Sequence, residues 1–285
     1  MGRPSYFDSE IMRAKYQSSV VISVYKDSNA LSCILYALSI QSADDFEVIV
    51  SEDGCSEHMA QAIAQQTYIP AHRLLHLSQE DKGFRKNRAL NNAIRASRSS
   101  HIIFIDGDCV PSIEFVKAHR SLSSGNSVTA GRRLELGPKM SRVLREQPRL
   151  IKILSSGLGY LSLLPKILLD RGKNVESGLN SSLLHYLRRA KPSPLLGCNF
   201  SCPKIHLEKI NGFNEEYEYP GLGEDTDLQW RLERSNVNIT DAKFLANLFH
   251  LFHERTYGLS EKNLEIFKRS QKEGTIVAKH GIVKH

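Results

Sequence analysis

The stretch His101-Ile-Ile-Phe-Ile-Asp-Gly-Asp108 decides how this chain is read. Four consecutive apolar residues form too short a run for a helix, and they read as a strand covered on both faces. The run breaks into acid, glycine, acid. Two carboxylates at i and i+2 just past a buried strand sit in a turn and can converge on one hard cation. A cation at a nucleotide site bridges phosphate oxygens and neutralises the charge on a leaving group. Gly107 lets the backbone turn and lets a ligand approach closely. An Asp-x-Asp pair standing alone also serves ordinary turns; its place behind Ile-Ile-Phe-Ile is what gives it weight.

Upstream, strand and helix signals alternate. Ser19-Val-Val-Ile-Ser-Val-Tyr25 is a second continuous apolar run. Asn29 is expected to cap a helix running to about Gln41, with Leu31, Ile34, Leu35 and Leu38 on one side. Phe46–Val50 reads as a strand that ends in the turn Ser51-Glu-Asp-Gly54. A helix from about Ser56 to Gln66, a strand over Arg73–Leu77 and a helix over Lys86–Ser97 complete the series. Repeated strand–helix units imply a parallel sheet with helices on both faces. In such sheets ligands bind beyond the carboxyl ends of the strands. Glu52 and Asp53 follow the second strand, as Asp106 and Asp108 follow the fourth.

Downstream lie two further constellations. In Gly221-Leu-Gly-Glu-Asp-Thr-Asp-Leu-Gln-Trp-Arg-Leu232, three carboxylates crowd a helix start, where the macrodipole favours them. They either cap the helix or supply a base that takes a proton from an incoming hydroxyl. His250-Leu-Phe-His253 follows the apolar run Phe244–Phe249. Imidazoles three apart after a strand either belong to the core and surface or join the acidic turn at a metal.

The chain has 285 residues, 41% of them apolar and 24% charged, with 18 Gly and 10 Pro. Those proportions exclude a disordered, collagenous or disulfide-scaffold protein. Five cysteines (33, 55, 109, 198 and 202) are scattered and odd in number, and read as reduced thiols, most of them in the core. The net charge is +7, but residues 132–194 hold thirteen Lys or Arg against four Asp or Glu, so the basic surplus belongs to that segment. It is also rich in Leu and Ile between Leu150 and Leu169. Basic plus apolar at helical spacing fits either a helical insert packed on the main domain or an interfacial helix. Ile151–Leu169 holds Lys152, Pro165 and Lys166 and is too polar for a membrane span. The N-terminal residues contain no apolar core of a signal peptide.

Taken in order, VVISVY, EVIVSEDG, DKGFRKNRALNNAI, HIIFIDGDCVP, GCNFSCPKIHLEKINGFNEEY, GLGEDTDLQWRL and FHLFH resemble the inverting family 2 glycosyltransferases of GT-A fold. The stretch from GCNFS to WRL resembles the acceptor half of chondroitin-polymerase-like bacterial enzymes and β-1,4-galactosyltransferases. The resemblance implies an α/β fold of GT-A type, a Rossmann-like mostly parallel sheet flanked by helices and carrying a helical insert. It implies one domain over 1–285: a nucleotide-sugar-binding half (1–131), the basic insert (132–194), and an acceptor-binding half with a tail (195–285). A UDP-sugar donor and Mn²⁺ or Mg²⁺ follow from it.

Carried over by position, Asp53 would meet the uracil ring, with Glu52 in place of the first Asp of the usual pair. Phe84, Arg85 and Asn91 would help hold the nucleotide. Asp106 would contact ribose or metal and Asp108 the metal, joined by His250 or His253, with His250 favoured. Asp225 matches the base, and Glu224 would bind acceptor or donor hydroxyls. Asn199 would line the acceptor side, and Asn211-Gly-Phe213 would shape a turn. Leu222 stands where many members carry a Trp that touches the acceptor. The partners implied are a nucleotide-sugar and a glycan or lipid-linked sugar, with no nucleic acid. The setting implied is cytoplasmic, including a peripheral place on an anionic inner membrane face.

A nucleotidyltransferase would also use nucleotide, metal and a parallel sheet, but it needs a glycine-rich phosphate loop after the first strand, and Tyr25-Lys-Asp-Ser-Asn29 has no glycine. A silent nucleotide-sugar-binding module would lack a base or metal ligand, and none is missing.

Overall fold

The apolar runs do form the strands. In a computed structural model, residues 16–188, 193–221, 223–254, 258 and 260–284 are described. The first half runs β1 (Ser18–Val24), α1 (Ser28–Ser39), β2 (Phe46–Glu52), α2 (Glu57–Gln65), β3 (Leu74–Ser78), α3 (Lys86–Ala96) and β4 (His101–Asp106). Then follow β5 (Cys109–Pro111), α4 (Phe115–Leu122), β6 (Ser127–Ala130), β7 (Arg132–Glu135), α5 (Pro138–Glu146), α6 (Leu150–Leu154), α7 (Gly157–Leu169) and α8 (Ser182–Arg188). The chain continues with β8 (Asn199–Pro203), α9 (Lys204–Lys209), α10 (Asp225–Arg234), β9 (Asn238–Asp241), β10 (Asn247–His250) and α11 (Glu261–Glu273).

Seven strands make one sheet in the order β3-β2-β1-β4-β8-β6-β9. β1, β2, β3 and β4 are mutually parallel, β8 runs antiparallel to β4 and β6, and β9 is parallel to β6. The sheet is therefore mostly parallel. Alternate residues face opposite layers. Val20, Ile22, Val48, Val50, Ile103 and Ile105 pack toward α1, α4, α5 and α7. Val21, Ile49, Ile102, Phe104 and Phe200 pack toward α3, α9 and α10. Phe104 and Phe200 oppose each other across β4 and β8 with stacked rings 4.6 Å apart. Each such fully buried side chain contributes about 1.5–3 kcal/mol, which is why the strands needed covering helices on both faces.

A second, three-stranded sheet, in the order β5-β10-β7, lies past the end of β4. β10 pairs antiparallel with β5 and sets His250 opposite Cys109. That register carries a residue from late in the chain to the Asp106–Asp108 turn.

Several local expectations are corrected. Asp27, not Asn29, caps α1; its carboxylate accepts from the Ala30 amide at 2.9 Å, and Asn29 lies inside the helix. The third strand begins at Leu74 because Ala71–Arg73 form a 3₁₀ turn. The apolar run before His250 is a strand only from Asn247, since Phe244 has a left-handed backbone (φ 71°). All five cysteines are free, and all but Cys55 are buried. The leucine-rich insert is helical, and it packs only in part. Ile151, Leu154, Tyr160 and Ile167 are buried, whereas Leu158, Leu161, Leu168 and Leu169 are exposed.

Candidate active site

The site lies at the carboxyl end of the large sheet. β4 delivers Asp106, and Gly107 makes the turn with its amide donating to the Ser23 carbonyl at 2.7 Å. A Cβ at position 107 would stand 2.9 Å from both that carbonyl and Val24 Cγ1. Only glycine lets the turn lie this close to β1. Asp108 then meets two imidazoles. Its Oδ2 is 3.4 Å from His250 Nε2 and 3.1 Å from His253 Nε2. Burial alone would raise the Asp108 carboxyl; the hydrogen bonds from His250 and His253 outweigh it and hold that carboxyl well below the ordinary aspartate value. One ligand atom from each of the three residues lies within 4.8 Å of the others. Nitrogen and oxygen donors so grouped fit a borderline divalent ion such as Mn²⁺ better than Mg²⁺, which prefers oxygen alone.

Asp106 faces elsewhere. Lys86 Nζ donates to Asp106 Oδ1 at 2.7 Å and to Glu224 Oε1 at 2.9 Å. Burial disfavours the ammonium, but the two carboxylates outweigh it and hold Lys86 well above the usual lysine value. Burial also pushes Glu224 above the ordinary glutamate value, against the pull of Lys86. Its Oε2 is buried without a partner. Glu224 stands at the N-cap of α10, and Asp225 is the first helical residue. Asp225 Oδ2 accepts from the Gly197 amide at 3.1 Å. Asp227, in the same turn, is a structural residue: it is buried and pairs with Arg231 at 2.7 Å.

Lys86 escapes a reading of the sequence alone. The signal for it is an electrostatic misfit. It opens α3, where the macrodipole disfavours a cation, and that first turn holds no acidic residue. Such a lysine needs anions from outside its own helix.

The residues expected at the nucleotide divide into two kinds. Asp53 is at the end of β2, and its oxygens accept from Gln79 Nε2 at 2.7 Å and from the Arg85 amide at 2.6 Å. It thereby fixes the loop that carries Phe84 and Arg85, both half-buried. Two expectations do not match the placement of the side chains. Glu52 is 2% exposed and both oxygens are occupied, by the Ser56 amide and by His76. Asn91 is fully buried, and its amide is bonded to the Phe213 backbone in both directions. Both are braces. Asn199 is likewise buried: its Oδ1 accepts from His119 and its amide nitrogen donates to the carbonyls of Arg132 and Ala246, joining the two sheets and leaving no open face. Asn211 (φ 59°) and Gly212 (φ 68°) form the expected turn, which also docks residues 278–283. Leu222 lies outside the described residues.

Residues 19–134 match the model of glycosyl transferase family 2, and residues 180–254 match that of the N-terminal domain of galactosyltransferase. The chain is 24% identical over 259 residues to validoxylamine A glucosyltransferase of Streptomyces hygroscopicus subsp. jinggangensis, covering 86% of this chain and 58% of the relative. The corresponding protein of subsp. limoneus is also 24% identical, with 54% of its length covered. The chain thus spans little more than half the length of these curated relatives. Among solved structures, TarS 1–349 of S. aureus in complex with UDP superposes with TM-score 0.57 at 13% identity, covering 89% of this chain and 63% of that one. The mannosyltransferase PcManGT of Pyrobaculum calidifontis, in complex with GDP-Man and Mn²⁺, superposes with TM-score 0.54 at 15% identity, covering 92% and 63%. The fold is that of the GT-A glycosyltransferases. The chain is a glycosyltransferase homologue, similar to glycosyl transferase family 2 over residues 19–134 and to the galactosyltransferase N-terminal domain over residues 180–254.

Proposed function

We propose that the chain is a metal-dependent, inverting glycosyltransferase. It would move a sugar from a UDP-sugar to a hydroxyl of a glycan or lipid-linked acceptor in polysaccharide- or lipopolysaccharide-type synthesis. The observation that carries this reading is Lys86, which ties the Asp106–Asp108 turn to the Glu224–Asp225 helix start. In this reading the donor-side and acceptor-side elements would be held within one side chain of each other. In this reading residues 1–131 bind the donor, 195–285 bind the acceptor, and 132–194 are an insert; the whole is one domain.

Asp108, His250 and His253 would hold Mn²⁺, which supplies charge neutralisation for the departing diphosphate. Asp53 keeps lone pairs beyond those its two donors use, and would accept from the uracil ring. Phe84 and Arg85, held by Asp53, would wall the nucleotide. Asp106, which accepts from Lys86 Nζ, would face the ribose. Asp225, oriented by the Gly197 amide, would accept the proton of the acceptor hydroxyl as that oxygen attacks the anomeric carbon from the face opposite the diphosphate. Glu224 Oε2, buried without a protein partner, would take a sugar hydroxyl. No covalent intermediate is formed, so the anomeric configuration inverts. A cytoplasmic, peripheral position on an anionic membrane face belongs to the same reading.

A panel of UDP-sugars and GDP-sugars, each with Mn²⁺, Mg²⁺ or chelator, tests the proposal. Release of UDP from one donor, supported by Mn²⁺ above Mg²⁺ and abolished by chelation, is expected. Undiminished release after exhaustive chelation would overturn the metal assignment.

A further inference from the structure

Helix α7 is apolar on two opposite sides, which a surface helix ordinarily is not. At about 100° per residue, Tyr160, Leu163, Leu164 and Ile167 share one side, and these four pack on the core. Leu158, Leu161, Pro165, Leu168 and Leu169 share the opposite side, within an arc of roughly 100°. All five are exposed, Leu158 and Leu169 each to 87%. A five-residue apolar stripe in water needs an explanation that single exposed leucines do not.

The charges around it indicate what covers it. Lys166 borders the stripe on the same helix. Arg149 and Lys152 precede the helix, Arg171 and Lys173 follow it, and all five cations are exposed. The same interval holds one acid, Asp170. That residue is buried, with its carboxylate on the amides of Lys139 and Met140 at the start of α5. A second copy of this chain would bring like charges face to face, which is unfavourable. A surface of lipid phosphates and carboxylates would match both the stripe and its rim. The helix has 13 residues, about 20 Å at 1.5 Å each, and cannot cross a hydrocarbon layer of about 30 Å. No helix among the described residues is long and apolar enough to span a membrane.

We infer that α7 is an in-plane docking helix for an anionic bilayer. Its leucine stripe enters the headgroup–acyl boundary while the five cations meet lipid anions. Arg145 takes no part, because it is ion-paired with Asp27 at 2.9 Å. The inference gives a surface to the peripheral placement within the proposed function, and it stands on observations separate from the reaction chemistry.

The test is co-sedimentation of the full chain with vesicles of phosphatidylglycerol and phosphatidylcholine, against phosphatidylcholine alone, at low and at 1 M salt. Donor turnover is measured on the same samples, so that loss of docking and loss of the proposed activity are told apart. Binding to the anionic vesicles alone, weakened by salt, is expected. The pair Leu158→Ser and Leu169→Ser should lower the bound fraction by at least about tenfold, with near-ultraviolet circular dichroism unchanged because both side chains are in solvent. In a Leu161→Trp variant, indole emission should shift to the blue on adding anionic vesicles. Three results would overturn the inference: no binding at low salt, binding indifferent to the leucine pair, or a leucine-dependent dimer that ignores vesicles.

Discussion

The two ends of the large sheet each hold carboxylates out of bulk water, and they treat them differently. At the amino end, Glu47 is fully buried and saturated. One oxygen accepts from Ser19 Oγ at 2.6 Å and from the Arg98 amide at 2.7 Å; the other accepts from Arg98 Nε at 2.6 Å. At the carboxyl end, Asp108 is shared between two imidazoles, and Glu224 keeps one buried oxygen without a partner. A saturated carboxylate holds structure together. One left short of partners, in a region a ligand can reach, is disposed to bind. The contrast gives opposite expectations for substitutions at the two ends.

Asp108→Ala should have the largest effect. It removes the one carboxylate of the His-His-Asp group, so transfer and Mn²⁺-dependent UDP binding should both vanish, while the protein still folds, with a lowered Tm because the hydrogen bonds from His250 and His253 to the carboxylate are lost. Titration calorimetry with Mn²⁺ and UDP, beside a melting curve, measures both. If the variant bound metal normally, the Asp108, His250 and His253 assignment would be wrong.

Asp225→Asn keeps shape and the contact with the Gly197 amide but removes basicity. The turnover number kcat should fall by about 10²–10⁴, the usual contribution of a general base, with the donor KM nearly constant. Loss of donor affinity at full kcat would move Asp225 to the donor side.

These candidates could be picked out in the sequence because their patterns are local. An acid-glycine-acid turn after a buried strand, and carboxylates at a helix start, are visible within a dozen residues. The alternating strands and helices were legible for the same reason, and their boundaries slipped by only one to three residues, as at Leu74 and Asp27. What could not be read was pairing across the chain. Lys86 meets Glu224 from 138 positions away, and Asn91 meets Phe213 from 122. The same is true of exposure. Leu163 and Leu168 are alike in sequence, but only the packed helix decides which faces the core and which faces water.

Glu47→Ala tests the saturated end. It leaves Ser19 buried with one partner fewer and Arg98 without its carboxylate. Removing one partner of a buried ion pair costs about 3–5 kcal/mol. Since the Arg98 side chain is 39% exposed, the low end of that range applies, a fall in Tm of roughly 10 °C. Activity per folded molecule should be unchanged at a temperature where the variant is fully folded. A variant that is stable but inactive would dissolve the distinction between the two ends.

The smallest effect concerns groups that titrate in the core, away from either carboxylate cluster. His119 is fully buried on α4, with Nδ1 at 3.0 Å from Ser201 Oγ and Nε2 at 3.0 Å from Asn199 Oδ1. The Asn199 amide nitrogen already donates to two carbonyls, so its oxygen faces the ring, and Nε2 carries the proton of a neutral imidazole. Burial lowers His119 to about 3, and burial, with Arg120 adding to it, lowers His101 to about 4. Unfolded, both would titrate near 6.5. Between those values the unfolded chain binds protons that the native chain does not, so stability falls as the pH falls below about 6.5. At about 1.4 kcal/mol per unit of pH for each group, going from pH 6.5 to 5 should cost about 2 kcal/mol per histidine, above the range where ordinary carboxylates titrate. Urea unfolding at closely spaced pH values should show that slope, and His119→Gln should remove about half of it. If the slope in the variant matched that of the parent chain, the protons would be entering elsewhere, and His119 would be contributing packing alone.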